Sequence, residues 1–472
     1  MSQVYQRLIK AGNPNGEVVQ SNRFLVEVLG LFGAALGSEV VFANGALGLI
    51  TRIEDDIVRV NVLTSEAVPL GTAAVIAKQS FAIHPSEALL GRVVDPLLRP
   101  LDDGPAILSR IQQPVFAPAP GFAQRYQLDE QCETGVAVVD TLFPIVNGQR
   151  IAIMGDTKSG KTSFALQAAM HQAKKQKIIV MVLIAKRKTE IATIIHRLKQ
   201  SDTLKHMVLV VADSFASLPL TDLAPYSGCA IAEFFWQNGK DTIIIYDDLL
   251  SHAKVHREIA LLANTPPGRE SYPGDMFFAH SSLLERAGRL SHNLATLTAL
   301  PLMTTVNNDI TGYLSTNIIS ITDGQLVFDT EELQRGTIPP INTGLSVSRI
   351  GGRAQSVSHK NLAQNTFRAL AAYRQSSQFA SFGQDLPDQY RDALRLGQRL
   401  KLAFNQGPDE SYSLIEQQIL LTIVFMAEDQ AIDMSRVKDA VRAAAPRFKP
   451  EMSFQTVAGT ILKQLAGKVP VS

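Results

Sequence analysis

Gly155 and Gly160 bracket four residues and are followed by Lys161 and Thr162, so residues 155–162 (GDTKSGKT) match G-x-x-x-x-G-K-[ST]. This chemistry needs glycines because the backbone must curl tightly and aim its N–H groups at phosphate oxygens. Lys161 would reach the terminal phosphates of a nucleoside triphosphate, and the Thr162 hydroxyl would ligand Mg2+. Asp156, Thr157, Lys158, Ser159 and Ser163 complete the expected cradle. At ordinary glycine usage a chance match in a sequence this long arises in roughly one or two cases in a hundred. Context lowers that further. Residues 151–154 (IAIM) form an apolar run fit for a buried strand, and 163–174 (SFALQAAMHQAK) has helix-forming composition. Strand, glycine loop and helix in that order place phosphates at a helix N-terminus.

A second group belongs to the same chemistry. The apolar strand expected at 242–246 (TIIIY) ends in Asp247-Asp248. An aspartate after such a strand, downstream of a phosphate loop, is the usual second magnesium anchor, and Asp247 is preferred over Asp248. A strand-end carboxylate without a role is the alternative.

The elements that must position these groups divide the chain. Its 472 residues suggest two or three domains, and 46% apolar content is ample for large cores. With 45 basic against 44 acidic residues the net charge is +1, so no global field would draw nucleic acid or an anionic membrane. Cys132 and Cys229 have no CxxC spacing and predict buried thiols in a reducing compartment rather than a metal site. The start shows no export or organelle signal, and the longest strongly apolar run, 419–427, is too short to span a bilayer. Both point to a soluble protein in the cytoplasm.

Residues 17–80 read as short Val/Ile/Leu-rich strands punctuated by Gly, Asn and Asp, the pattern of a small barrel or sandwich. Prolines between 96 and 120 mark an irregular connection. Beyond Asn147, continuous apolar runs at 151–154, 178–184, 207–212 and 242–246 alternate with helices near 162–175, 190–200 and 215–237. That suits a parallel sheet covered on both faces. Helical segments 363–377, 388–405, 413–428 and 434–444 would form a bundle. The expected fold class is multi-domain α+β: a short segment over 1–16, a β-barrel over 17–85, a P-loop α/β domain over 86–358 and an α-helical domain over 359–472.

The run 265–290 (TPPGRESYPGDMFFAHSSLLERAGRL) resembles a signature of the F-type ATP synthase α subunit. Segments 89–102, 133–150, 224–235, 241–262, 296–301, 315–325 and 341–355 are similar to that family in the same order. The resemblance implies a RecA-like central domain binding ATP or ADP with Mg2+, in a ring of three α and three catalytic β subunits. It also implies contact with a central-stalk γ subunit, a peripheral stalk and a membrane sector, at the cytoplasmic face of the bacterial inner membrane, with proton or sodium translocation by the whole complex. Short links and a reduced N-terminal extension look like the alternative bacterial F-type group, the N-ATPases.

The resemblance also marks departures. Catalytic relatives carry G-E-R-x-x-E after the strand that follows the phosphate-loop helix, and its first glutamate polarises the attacking water. Here residues 185–190 read AKRKTE, with Lys186 at the carboxylate position and Glu190 a helical turn away. An ammonium cannot accept a proton. Alpha subunits usually have glutamine there, and GDRQTGKT in the loop, so Lys158 and Lys186 add charge near the phosphates. Thr304 and Val306 replace a usual Glu and Gln.

Residues 346–349 (SVSR) match an α-subunit element by which Arg349 would project as an arginine finger into a neighbouring β site, with Ser346 and Ser348 shaping the loop and Gly351 and Gly352 its exit. Gln406, in Asn405-Gln406-Gly407, falls where the family has an adenine-facing glutamine; a plain inter-helix turn competes with that reading. Two other functions remain open at this stage: a homohexameric export ATPase, which would need a carboxylate at 186, and a nucleotide-sensing paralogue, which would have no use for Arg349.

Overall fold

The structure, a computed structural model, describes residues 2–380, 387–427, 432–449 and 451–466. Residue 428 of the expected helix 413–428 and residues 467–472 of the expected helical domain lie outside them. The molecule divides into two compact units, Met1–Tyr126 with Gln176–Thr304 and Thr311–Ile321, and Gln127–Lys175 with Thr305–Ile310 and Thr322–Ser472.

In the first unit six strands, β1 (Asn15–Asn22), β2 (Leu25–Leu29), β3 (Glu39–Phe42), β4 (Leu47–Glu54), β5 (Ile57–Val62) and β6 (Ala73–Lys78), close into a barrel ordered β1-β2-β5-β4-β3-β6. Closure leaves no strand edge unpaired. Alternate side chains, among them Val26, Val28, Val40, Phe42, Val58, Val60 and Ile76, fill one interior. In the short segment expected over 1–16, Gln3–Lys10 is a helix whose Tyr5 packs with Val41 and Val75.

The same unit carries parallel strands side by side in the order Val93–Val94, Met207–Asp213, Ile178–Lys186, Thr242–Asp247 and Thr296–Thr305. From Ile179 to Ile184 no side chain is exposed at all, as expected for a strand covered on both faces. Helix Lys188–Gln200 buries Ile191, Ile194 and Leu198, one stripe at helical spacing. The helix expected at 215–237 starts at Leu218 instead, because the Ser217 hydroxyl accepts from Leu220 N at 3.4 Å as its cap and Pro219 fits only a first turn. Cys132, in the second unit, and Cys229 are both buried, and neither forms a disulfide.

In the second unit, strand Ala152–Asp156 runs parallel to Gly324–Phe328, which pairs antiparallel with Val347–Ser348. Among the described residues five long helices follow, at Val357–Ala380, Asp388–Phe404, Leu414–Met426, Met434–Ala444 and Phe454–Ala466. The third is fixed by a reciprocal cap: Glu416 N donates to Ser413 Oγ at 3.3 Å, and Ser413 N donates to Glu416 Oε2 at 2.6 Å. The fifth falls in the stretch expected to be helical, outside the four segments named there, and Ala458, Ile461 and Leu462 bury one face. Among the described residues no helix is long and apolar enough to cross a membrane.

Two buried groups give the fold measurable signatures. Arg286 and Glu233, 1% and 3% exposed, form a forked ion pair with Nε to Oε1 at 2.7 Å, and Arg286 Nη1 also donates to Val115 O at 2.7 Å. Arg286→Met should cost about 3–5 kcal/mol in denaturant unfolding of the full-length protein, because Glu233 is left buried without its guanidinium. Adding Glu233→Leu should recover most of that loss. His359 is 2% exposed, and burial holds its pKa down at about 4. The folded state therefore favours the neutral ring, so this contribution is present above pH 6.5 and fades as pH falls towards 4. His359→Leu should flatten the fall in thermal stability across that window.

Candidate functional site

The phosphate-loop signature lies in the second unit, between strand Ala152–Asp156 and helix Lys161–Lys174. Gly155 has φ 151° and Gly160 φ 98°, a region open to glycine. A Cβ on Gly155 would also come within 2.4 Å of the Phe328 carbonyl oxygen. Thr157, Lys158 and Ser163 are exposed, and Lys158 turns the tip with φ 65°. Ser159 is fully buried, and its Oγ has no hydrogen-bond partner.

Lys161 is buried, and its Nζ donates to the carbonyl oxygens of Gly155 at 2.6 Å and Asp156 at 2.7 Å. The ammonium is thereby held across the loop. The Asp156 carboxylate accepts from Thr305 Oγ1 at 2.6 Å and Asn308 N at 2.9 Å, so it braces the loop from behind. Half-buried Thr162 opens a 14-residue helix whose first turn holds no acidic side chain. Backbone N–H groups and the positive helix end there favour an anion.

The segment expected to carry the finger leaves this unit's sheet. Ser346 is buried, and its Oγ accepts from Val327 N at 2.9 Å. Ser348 Oγ donates to Pro144 O at 2.7 Å. Both serines therefore pin the edge strand Val347–Ser348. Arg349 is exposed; its backbone N donates to Asp323 O at 3.0 Å and its Nη1 to Thr322 O at 3.1 Å. Only one of the two exit glycines is required for space. A Cβ on Gly351 would meet Pro144 O at 2.0 Å, whereas one on Gly352 would meet nothing within 4 Å.

Gln406 is 1% exposed. Its Nε2 donates to Gly135 O at 2.6 Å and Glu410 O at 2.8 Å, and its Oε1 accepts from Ala137 N at 3.0 Å. Both amide donors are thus engaged with backbone, and Gln406 acts as a clamp on the turn. One lone pair is all it has left to offer a base. Asn405 Oδ1 accepts from Ile338 N at 3.2 Å.

Asp247 and Lys186 belong to the first unit. Lys186 Nζ lies 2.7 Å from Asp247 Oδ1, with side chains 19% and 2% exposed. Burial acts against the charge on Lys186, but Asp247, Asp248 and Glu190 outweigh it and hold its pKa above the ordinary lysine value. Parallel register sets Leu183 opposite Asp247. The register slips between Ile184 and Lys186, where Ala185 takes φ 53°, and Lys186 turns onto the neighbouring strand's carboxylate. Asp248 is committed elsewhere: it caps the next helix through Ser251 N at 2.7 Å and accepts from Thr304 Oγ1 at 2.9 Å. Glu190 sits exposed in the first turn of helix Lys188–Gln200, and Val306 is exposed.

Sequence reasoning named both Lys186 and Asp247 and missed that they touch. No local pattern carries that contact, since it needs strand register and the irregularity at Ala185. Among the described residues no group of three or more His, Cys, Asp or Glu could hold a metal ion.

With this geometry in place, comparison with known proteins gives a consistent result. Residues 135–348 match the nucleotide-binding domain of the ATP synthase alpha/beta family, and 355–465 match the C-terminal domain of that family. ATP synthase subunit alpha of Neorickettsia sennetsu is 37% identical over 445 residues, covering 92% of this protein and 87% of the relative. The subunit of that name from Anaplasma marginale is 36% identical over 470 residues, covering 96% and 92%. That from Clostridium botulinum is 38% identical over 410 residues, covering 86% and 81%. The loop, the helical domain and nearly full-length similarity agree: the chain belongs to the ATP synthase alpha/beta family, among its alpha subunits.

Proposed function

We propose that the protein is a non-catalytic α subunit that holds ATP or ADP for structure and lends Arg349 in trans to a catalytic β neighbour. The observation that carries the non-catalytic half is Lys186. A water-polarising group must accept a proton or a strong hydrogen bond, and an ammonium held by Asp247 at 2.7 Å offers neither. The exposed Glu190 is one turn further on and does not replace it. The same lysine argues against a self-sufficient export ATPase.

The phosphate loop supports the binding half. Ser159 Oγ, buried and without a partner, is an atom that a phosphate oxygen would satisfy. Lys161 and the N–H groups at the start of helix Lys161–Lys174 supply positive charge without an opposing carboxylate in that turn. Magnesium, when bound with nucleotide, neutralises charge on the β- and γ-phosphates. The Thr162 hydroxyl fits one coordination position. Asp247 fits less well, because an ammonium already lies against its Oδ1.

Arg349 has the features of a donated group. It is exposed, its backbone is tied to Asp323, and the strand before it is pinned by Ser346 and Ser348. A planar guanidinium makes paired hydrogen bonds to phosphate oxygens as charge develops. The proposed setting is a ring of three α and three β subunits on a γ stalk, attached to a membrane sector by a peripheral stalk at the cytoplasmic face of the inner membrane. The short link between Leu290 and Thr296 supports a place among the alternative bacterial F-type ATPases.

Arg349→Ala should lower turnover of the assembled complex by roughly 10³-fold or more while nucleotide on this subunit is retained. Unchanged turnover would count against the finger. Gly155→Ala places a methyl against Phe328 O and should strip nucleotide from the purified protein, read as bound nucleotide per molecule after gel filtration. Full retention would sink the assignment of the loop.

A further inference from the structure

Arg349 can serve a neighbour only if the backbone that carries it is held still, and the edge strand before it, Val347–Ser348, is two residues long. Strand register brings the holding group to it. Parallel pairing of Ala152 with Gln325 sets Arg150 beside Asp323, each two residues before that pair. Antiparallel pairing of Gly324 with Ser348 brings Arg349 to the other side of Asp323. All of these residues belong to the second unit.

Two arginines thus meet one aspartate through different groups. Arg150 grips the carboxylate, with Nη2 to Oδ1 at 3.0 Å, Nε to Oδ2 at 3.2 Å and its backbone N to Oδ2 at 3.1 Å. Asp323 N donates back to Arg150 O at 2.8 Å. Arg349 uses the backbone instead: its N donates to Asp323 O at 3.0 Å and its Nη1 to the adjacent Thr322 O at 3.1 Å. Gln149, fully buried, closes the group, because its Nε2 donates to Asp323 O at 3.2 Å and to Ser348 Oγ at 3.4 Å. The Arg150 and Asp323 side chains are each 24% exposed, so solvent screens the pair and it adds little stability. What a fork on two carboxylate oxygens supplies is direction.

We infer that Arg150 is a positioning residue for Arg349: it locks Thr322 and Asp323, and their carbonyls set where the Arg349 guanidinium stands when a neighbouring site reacts. The inference rests on the reading of Arg349 as a donated finger. Misplacing a reacting group by about 1 Å costs on the order of 10²-fold in rate.

The test is steady-state ATP hydrolysis by the complex assembled with its β partners. Arg150→Gln should lower kcat by about 10²-fold with KM little changed, because only a transition-state contact is lost. Added to Arg349→Ala, it should lower kcat by no more than a further factor of about two, since both act through one guanidinium. Arg150→Lys keeps the charge without the fork; it should lose less, again only where Arg349 is present, and it carries the test if Arg150→Gln does not assemble. An equal loss with and without Arg349 would overturn the inference, because damage to the fold alone would give it. A loss in Arg349→Ala with wild-type kcat in both Arg150 variants would overturn the inference and leave the finger standing. Unchanged kcat in Arg349→Ala would contradict the finger itself, and the positioning role with it.

Discussion

A half-buried ammonium against a buried carboxylate, Lys186 on Asp247 at 2.7 Å, is the contact on which the proposed reading depends. Each partner alone would be costly in that position. Desolvation opposes both charges, and only their mutual attraction makes the arrangement tolerable. The strands beneath are among the most completely buried in the molecule, and Asp247 is shut away with them while Lys186 keeps some exposure. On the proposed reading, lysine at position 186 removes a proton acceptor and also alters the electrostatics of the carboxylate beside it.

The rest of the architecture makes such a contact possible. Parallel strands covered on both faces deliver their C-terminal ends as a row, which is where open α/β sheets place ligands. In the first unit Asp247 stands at the C-terminal end of Thr242–Asp247, and in the second the phosphate loop follows Ala152–Asp156. Around the loop the fold has few degrees of freedom left. Phe328 O forbids a side chain at Gly155, Asp156 is bonded to Thr305 and Asn308, and Lys161 is tied to two carbonyls. Such preorganisation suits long-term holding of phosphate. The serines of the SVSR element serve a comparable purpose, since they order the strand and leave Arg349 at the surface.

Much of this was legible in the sequence, for identifiable reasons. The loop is a local motif whose glycines answer to backbone geometry, so G-x-x-x-x-G-K-T could be read without the fold. Continuous apolar runs marked the strands at 178–186, 207–213 and 242–247 because burial on both faces leaves no polar alternation. Barrel strands carried Val, Ile and Leu enrichment between glycine, asparagine and aspartate turns. Other features depended on distant partners and were not legible. The contact of Lys186 with Asp247 required register across two strands. The clamp role of Gln406 required Gly135 and Ala137, far away in the sequence. The start of helix Leu218–Gln237 required recognising Ser217 as a cap, and helix Gln3–Lys10 was passed over although Val4, Tyr5, Leu8 and Ile9 stand at helical spacing. Thr304 loses a polar family residue on paper, yet its hydroxyl holds Asp248 in place.

The central claim is that this protein holds nucleotide and does not hydrolyse it. The most direct measurement incubates the purified subunit, free of any β partner, with γ-labelled Mg-ATP and follows released phosphate together with the identity of the bound nucleotide. Bound nucleotide recovered as intact ATP, with phosphate release no faster than in buffer, is the predicted result. Repeated turnover by the isolated subunit would contradict the claim, because it would require a proton acceptor that Lys186 does not provide.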